Sequence, residues 1–233
     1  MFSEWLLLVI PVLCALIFLI YMCVRDSAFT HKWTKFLAKY NFTSCEEEAE
    51  RLTEIVNAFA ASPEELRKYT VYEPYKTSRG ENKYFAYMKV RSAYTYNGTD
   101  WFEILFPLKR SSENPVTIFF DNYSFREKMR STSGRRMPIE FVRDPDVRLD
   151  IPRDIEKGNI RDVYGREGDS FYHLIDSSYV SVILKLRKYG AYTFQAVRDC
   201  GMICFDPSCV DLNLDEIWNC AVALTESHTF KTT

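Results

Sequence analysis

The sequence predicts an α+β fold: a single N-terminal transmembrane helix followed by one domain in which helices flank an antiparallel sheet. Three observations predict it. Residues 5–24, WLLLVIPVLCALIFLIYMCV, form a run of 20 residues without a charge. A helix of that length rises about 30 Å, the thickness of a bilayer's hydrocarbon core. In the remaining chain, helical periodicity and cap signals cluster towards the two ends, while Tyr-, Phe- and Val-rich runs fill the middle. Helices segregated to the ends of a strand-rich middle define that class.

Composition sets the outer bounds. With 27% charged and 15% aromatic residues in 233, the chain has the make-up of a folded protein, not of a disordered or repetitive one. A net charge of −2 provides no general basic field, so no nucleic-acid partner is expected. The expected division is a short tail (1–4), the anchor (5–24), a basic amphipathic juxtamembrane segment (25–43), a soluble α+β domain (44–226) and a frayed tail (227–233).

The apolar run is longer than the core of a cleaved signal peptide and has no Lys or Arg before it, so it reads as an uncleaved anchor in contact with the lipid bilayer. Trp5 and Tyr21 stand near its ends, where amphipathic rings favour the headgroup layer. Arg25, Lys32, Lys35 and Lys39 follow it. The positive-inside rule then places the N-terminus outside and the domain in the cytoplasm, where its cysteines are reduced. The alternative is a lumenal or extracytoplasmic domain. The sequons at Asn41, Asn97 and Asn122 favour it, since such tripeptides accept glycans in secreted domains.

From Phe29 to Phe42, Trp33, Phe36, Leu37 and Tyr40 fall at helical spacing beside Lys32, Lys35 and Lys39. This pattern has two readings. Lys32, Trp33, Lys35, Phe36 and Lys39 lie on an anionic membrane surface, or the anchor helix continues and packs on its own domain. Ser44 and Glu47 have the spacing of a capping box that opens a helix to about Ala61, and Ser62-Pro63 starts a second, short one. Strands are expected from Val71. Lys83–Tyr96 and Asp100–Leu108 form a hairpin about Asn97-Gly98, Val116–Asp121 is a third strand, and short strands lie within 138–151. Ser177 or Ser178 opens a helix that Gly190 stops, two strands flank Asp199-Cys200-Gly201, and a last helix spans Leu214–Thr225.

Two charged stretches are candidate contact surfaces. Arg126, Lys128, Arg130, Arg135 and Arg136 crowd one loop, and guanidinium groups match phosphate oxygens, so an anionic headgroup or a protein partner suits them. From Arg143 to Asp169 the charges alternate in sign, the mark of an exposed edge with surface ion pairs.

No catalytic group, metal or cofactor is expected. G-x-S-x-G, H-E-x-x-H and phosphate-cradling glycine patterns are absent. Cys200 and Cys204 have the spacing of one zinc-ligand pair, but Cys209 and Cys220 do not supply a second. The expectation is a membrane-tethered, non-catalytic interaction or assembly domain engaging a protein partner or anionic lipid headgroups. A reading from a different class is a membrane-bound hydrolase or thiol-dependent redox enzyme using the C-terminal cysteines.

Overall fold

The computed structural model describes residues 2–59, 69–91, 101–120, 147–156, 160–171, 175, 177–205, 209 and 211–226. Among these, five α-helices accompany one antiparallel sheet of seven strands, so the α+β class holds. In chain order the elements are α1 (Phe2–Lys39), β1 (Thr43–Ser44), a 3-10 turn (Glu46–Glu48), α2 (Ala49–Phe59), β2 (Tyr69–Arg79) and β3 (Asn82–Arg91). They continue with β4 (Trp101–Phe120), β5 (Val147–Arg148), α3 (Arg153–Glu156), β6 (Ile160–Gly165), α4 (Ser177–Lys188), β7 (Ala191–Phe205) and α5 (Leu214–Glu226).

The long strands β4 and β7 are the spine of the sheet. They pair from Phe102 opposite Phe205 to Phe119 opposite Thr193, while β3 and β6 pair with successive halves of β4. Beyond β3 come β2 and β1, and beyond β6 comes β5. Side chains alternate between faces along a strand, and among the described residues the two larger of three core clusters follow from that parity. Tyr84, Ala86, Ile104, Phe106, Ile203 and Phe205 join a large core with residues of α1, α4 and α5. Phe85, Tyr87, Leu105 and Met202 point the other way, onto Leu52 and Val56 of α2.

Several boundaries depart from the sequence reading. The described parts of the two expected strands, 101–108 and 116–120, are not separate: both belong to β4, whose register against β7 shifts between Pro107 and Ser112 and again before Val116. The two strands about Cys200 are likewise one, β7, which pairs with β4 on both sides of these shifts. The capping box is not formed. Ser44 lies in β1, no side chain caps the 3-10 turn that follows, and Glu47 pairs instead with Lys76 at 2.7 Å. The predicted β3–β4 pairing is present, with Phe85 opposite Leu105 and Lys89 opposite Trp101. Its Asn97-Gly98 turn, the second short helix, the 138–143 strand and the tail lie outside the described residues.

Helix α1 runs unbroken from the apolar stretch into the domain. It ends in a Schellman arrangement: Phe42 N donates to Leu37 O (2.9 Å), Asn41 N to Ala38 O (3.3 Å), and Asn41 takes the left-handed conformation at φ 54°. Among the described residues, no helix is long and apolar enough to cross a membrane, so the transmembrane part of the expectation is without support from the fold.

Candidate functional site

The C-terminal half of α1 has two different flanks. Phe29, Trp33, Phe36 and Leu37 are buried in the large core, with Trp33 edge-on to Phe102 at 5.0 Å and Phe36 to Trp218 at 6.4 Å. The apolar face of this segment therefore packs on the domain. The rings of Trp33 and Phe36, expected on a membrane surface, pack instead into the protein, where contact with Phe102, Phe205 and Trp218 takes them out of water. Lys32, Lys35 and Lys39 stay exposed along the neighbouring flank.

Those lysines meet the chain that enters α5. Asn213 N donates to Tyr189 O at 3.0 Å, fixing the segment to the end of α4. Asn213 then caps α5, its Oδ1 accepting from Glu216 N at 3.3 Å. Gly190 lets this segment approach: at φ 88° it lies so near that a Cβ would stand 2.8 Å from Leu212 Cα. Between the two elements opens a cleft of about 490 Å³ lined by Lys32, Lys35, Phe36, Lys39 and residues 211–215. Phe36, Leu212 and Leu214 are buried and supply an apolar floor.

Charge within the cleft is unevenly matched. Three lysines face two carboxylates, Asp211 and Asp215, a surplus of one positive charge. Lys39 Nζ pairs with Asp215 Oδ2 at 2.7 Å, and that hydrogen bond raises the Lys39 pKa. Burial raises the Tyr40 hydroxyl, helped by Asp215. Lys32 and Lys35 have no ion pair among the described residues. The arrangement suits an anionic group with apolar substance beneath it.

Other candidates are dispersed. Arg126, Lys128, Arg130, Arg135 and Arg136 lie outside the described residues. In the mixed-charge stretch, Asp162 pairs with Arg148 (2.7 Å) and Arg161 (2.9 Å). Cys45, Cys204 and Cys220 are buried, and burial pushes the thiols of Cys45, Cys200 and Cys220 up to about 11. Reactive cysteines need the opposite shift. His31 is exposed, His173 and His228 lie outside the described residues, and no group of three potential ligands is placed for a metal among those described.

One buried ion pair escaped the sequence reading. Lys89 and Glu103, 1% and 0% exposed, meet on the α2 face, with Lys89 Nζ 4.6 Å above the Tyr69 ring. Tyr87 stands opposite Glu103 and donates to Met202 Sδ at 3.4 Å. Burial, then the Glu103 charge, pushes its hydroxyl well above the usual tyrosine range. The signal was parity: Lys89 shares a strand face with buried Phe85 and Tyr87, and Glu103 with Trp101 and Leu105.

No family model matches the chain, and no curated protein matches it. Among solved structures, it is similar to the crystal structure of the mycobacterial trehalose monomycolate transport factor A. The identity is 8% and the TM-score 0.48, over 85% of this chain and 90% of that one. At that level the likeness carries no functional argument.

Proposed function

We propose that this protein is a membrane-tethered, non-catalytic interaction or assembly domain, anchored through residues 5–24, with its N-terminus outside and its domain at the cytoplasmic surface. Its contacts are with protein partners or anionic lipid. The observation that carries the reading is the change in burial along α1. Every residue from Val9 to Ile17 is exposed and none is charged, whereas from Phe29 onward one face is buried in the domain. A helix apolar all round belongs in a lipid or protein interior. The described side chains of the run, Val9–Ile17 and Ile20, are fewer than a span requires, and the reading adds the uncharged sequence on either side of them.

Because α1 is continuous, only four residues lie between Val24 and Phe29, a rise of about 7.5 Å along the helix. The domain would thus be held against the bilayer without a flexible linker. Thiol chemistry has less support, since burial keeps Cys45 and Cys220 protonated at neutral pH.

Alkaline carbonate extraction of membranes carrying the full chain, with a C-terminal tag, tests the anchor. Retention in the membrane pellet is expected, and release into the supernatant would overturn it. In inside-out vesicles the tag should be open to protease; protection there would reverse the orientation.

A further inference from the structure

We infer that the cleft between α1 and the segment entering α5 takes the headgroup of an anionic phospholipid from the bilayer surface. This rests on the membrane-tethered reading and adds the ligand class and its place. Three observations carry it.

The first is the chemistry of the walls. Phe36, Leu212 and Leu214 make an apolar floor beneath Lys32, Lys35 and Lys39. A phospholipid headgroup presents the same two characters, glycerol carbons beside a phosphate. At about 490 Å³ the cleft falls within the size of small-ligand sites.

The second is charge. Lys39 is engaged by Asp215, while Lys32 and Lys35 have no ion pair among the described residues and face only Asp211 as a further carboxylate. Two lysines are therefore available to an incoming anion.

The third is position. Counting along the unbroken helix from Val24, Lys32 lies about 12 Å, Lys35 about 17 Å and Lys39 about 23 Å beyond the apolar run. The headgroup layer is about 5–8 Å deep on each side, and the field of an anionic surface extends about 8 Å further at physiological salt. A lysine side chain reaches back towards the interface. Lys32 and Lys35 thus fall within the surface field, and Lys39 falls outside it. The upright helix presents a cleft edge to the lipid, in place of the in-plane helix face that the sequence pattern first suggested.

The test reads lysine reactivity in the full chain reconstituted in lipid nanodiscs, by brief amine-selective labelling and peptide mapping. Replacing half of the phosphatidylcholine by phosphatidylglycerol should slow labelling of Lys32 and Lys35 about fivefold each, for an attraction of the size known for a basic residue near an anionic surface. Lys39 should be unaffected, and high salt should abolish the protection. Asp211→Asn should deepen it. Equal labelling in the two lipids would overturn the headgroup site while leaving the anchor intact. Equal protection by millimolar inorganic phosphate in neutral discs would make it a site for free anions and overturn the lipid assignment. A protein that fails to co-elute with the discs would overturn the anchor and this inference together.

Discussion

Lys89 and Glu103 place two charges inside the sheet on adjacent strands. Removing one partner of such a pair strands the other in a poorly polarisable interior, at a cost of about 3–5 kcal/mol, whereas replacing both by apolar groups can be neutral. Lys89→Met should therefore lower stability by about that amount, and Lys89→Met with Glu103→Leu should recover most of it. Urea unfolding checks this, and single and double variants of equal stability would show that the pair is not coupled. Gly201 is constrained differently: a Cβ there would lie 2.6 Å from Phe106 Cε2. Gly201→Ala should cost about 1–3 kcal/mol by overpacking. The alkaline limit of the fold also belongs to single groups. The Cys45 and Cys220 thiols titrate near 9.0 when unfolded and at about 11 when folded. The folded state then holds protons that the unfolded state has released. Stability is therefore full below pH 9 and falls between pH 9 and 11, by up to about 1.4 kcal/mol per pH unit for each thiol. Tyr87, raised well above its usual value of 10.0, extends the loss further upward. Urea midpoints measured from pH 7 to 10.5 should decline only above about pH 9; a flat profile would refute the shifts.

At the scale of elements, the ends of helices decide which local signals take effect. Asn41 opens a sequon in the sequence, yet in the fold it is the left-handed residue that ends α1, with Phe42 folded back against Phe36 at 5.6 Å. Asn tolerates that conformation and β-branched residues do not. Asn41→Val should cost about 1–2 kcal/mol, and Asn41→Gly should be close to neutral; thermal unfolding of the two side by side checks it. Gly190 performs the same task for α4, and that stop was legible from the sequence. So was the start of α5 at Leu214, which Asn213 caps by accepting a hydrogen bond from Glu216 N. The tight turn between β2 and β3 was not read. Gly80 takes φ 62° as the first of two residues between paired Arg79 and Asn82, the place where such hairpin loops require glycine. Ser44–Glu47 misled because a capping signal is local, while the pairing of Thr43 and Ser44 with Lys76 and Tyr75 in β2 is not.

For the molecule as a whole, α1 is both the proposed anchor and part of the domain's core. A stiff connection should restrain the domain's tumbling relative to the bilayer. A flexible glycine–serine insertion after Asp26 should leave the unfolding midpoint of the domain unchanged while releasing that restraint, as seen by the rotational anisotropy of a label on the domain in nanodiscs. Unchanged anisotropy would mean that the helix does not set the domain's orientation. The sequence by itself determined the class, the apolar run, the basic flank of α1, the β3–β4 pairing and the last two helices, because these rest on periodicity and caps that act within a few residues. Only the tertiary structure decided that β4 and β7 are single long strands, that Trp33 and Phe36 face the core, that Lys89 meets Glu103, and that three lysines share a cleft with residues 211–215. Each of these depends on residues far apart in the chain: Lys39 and Asp215 are 176 positions apart. No local pattern encodes such a meeting, because it is the burial of the whole sheet between α2 and the other helices that brings the two together.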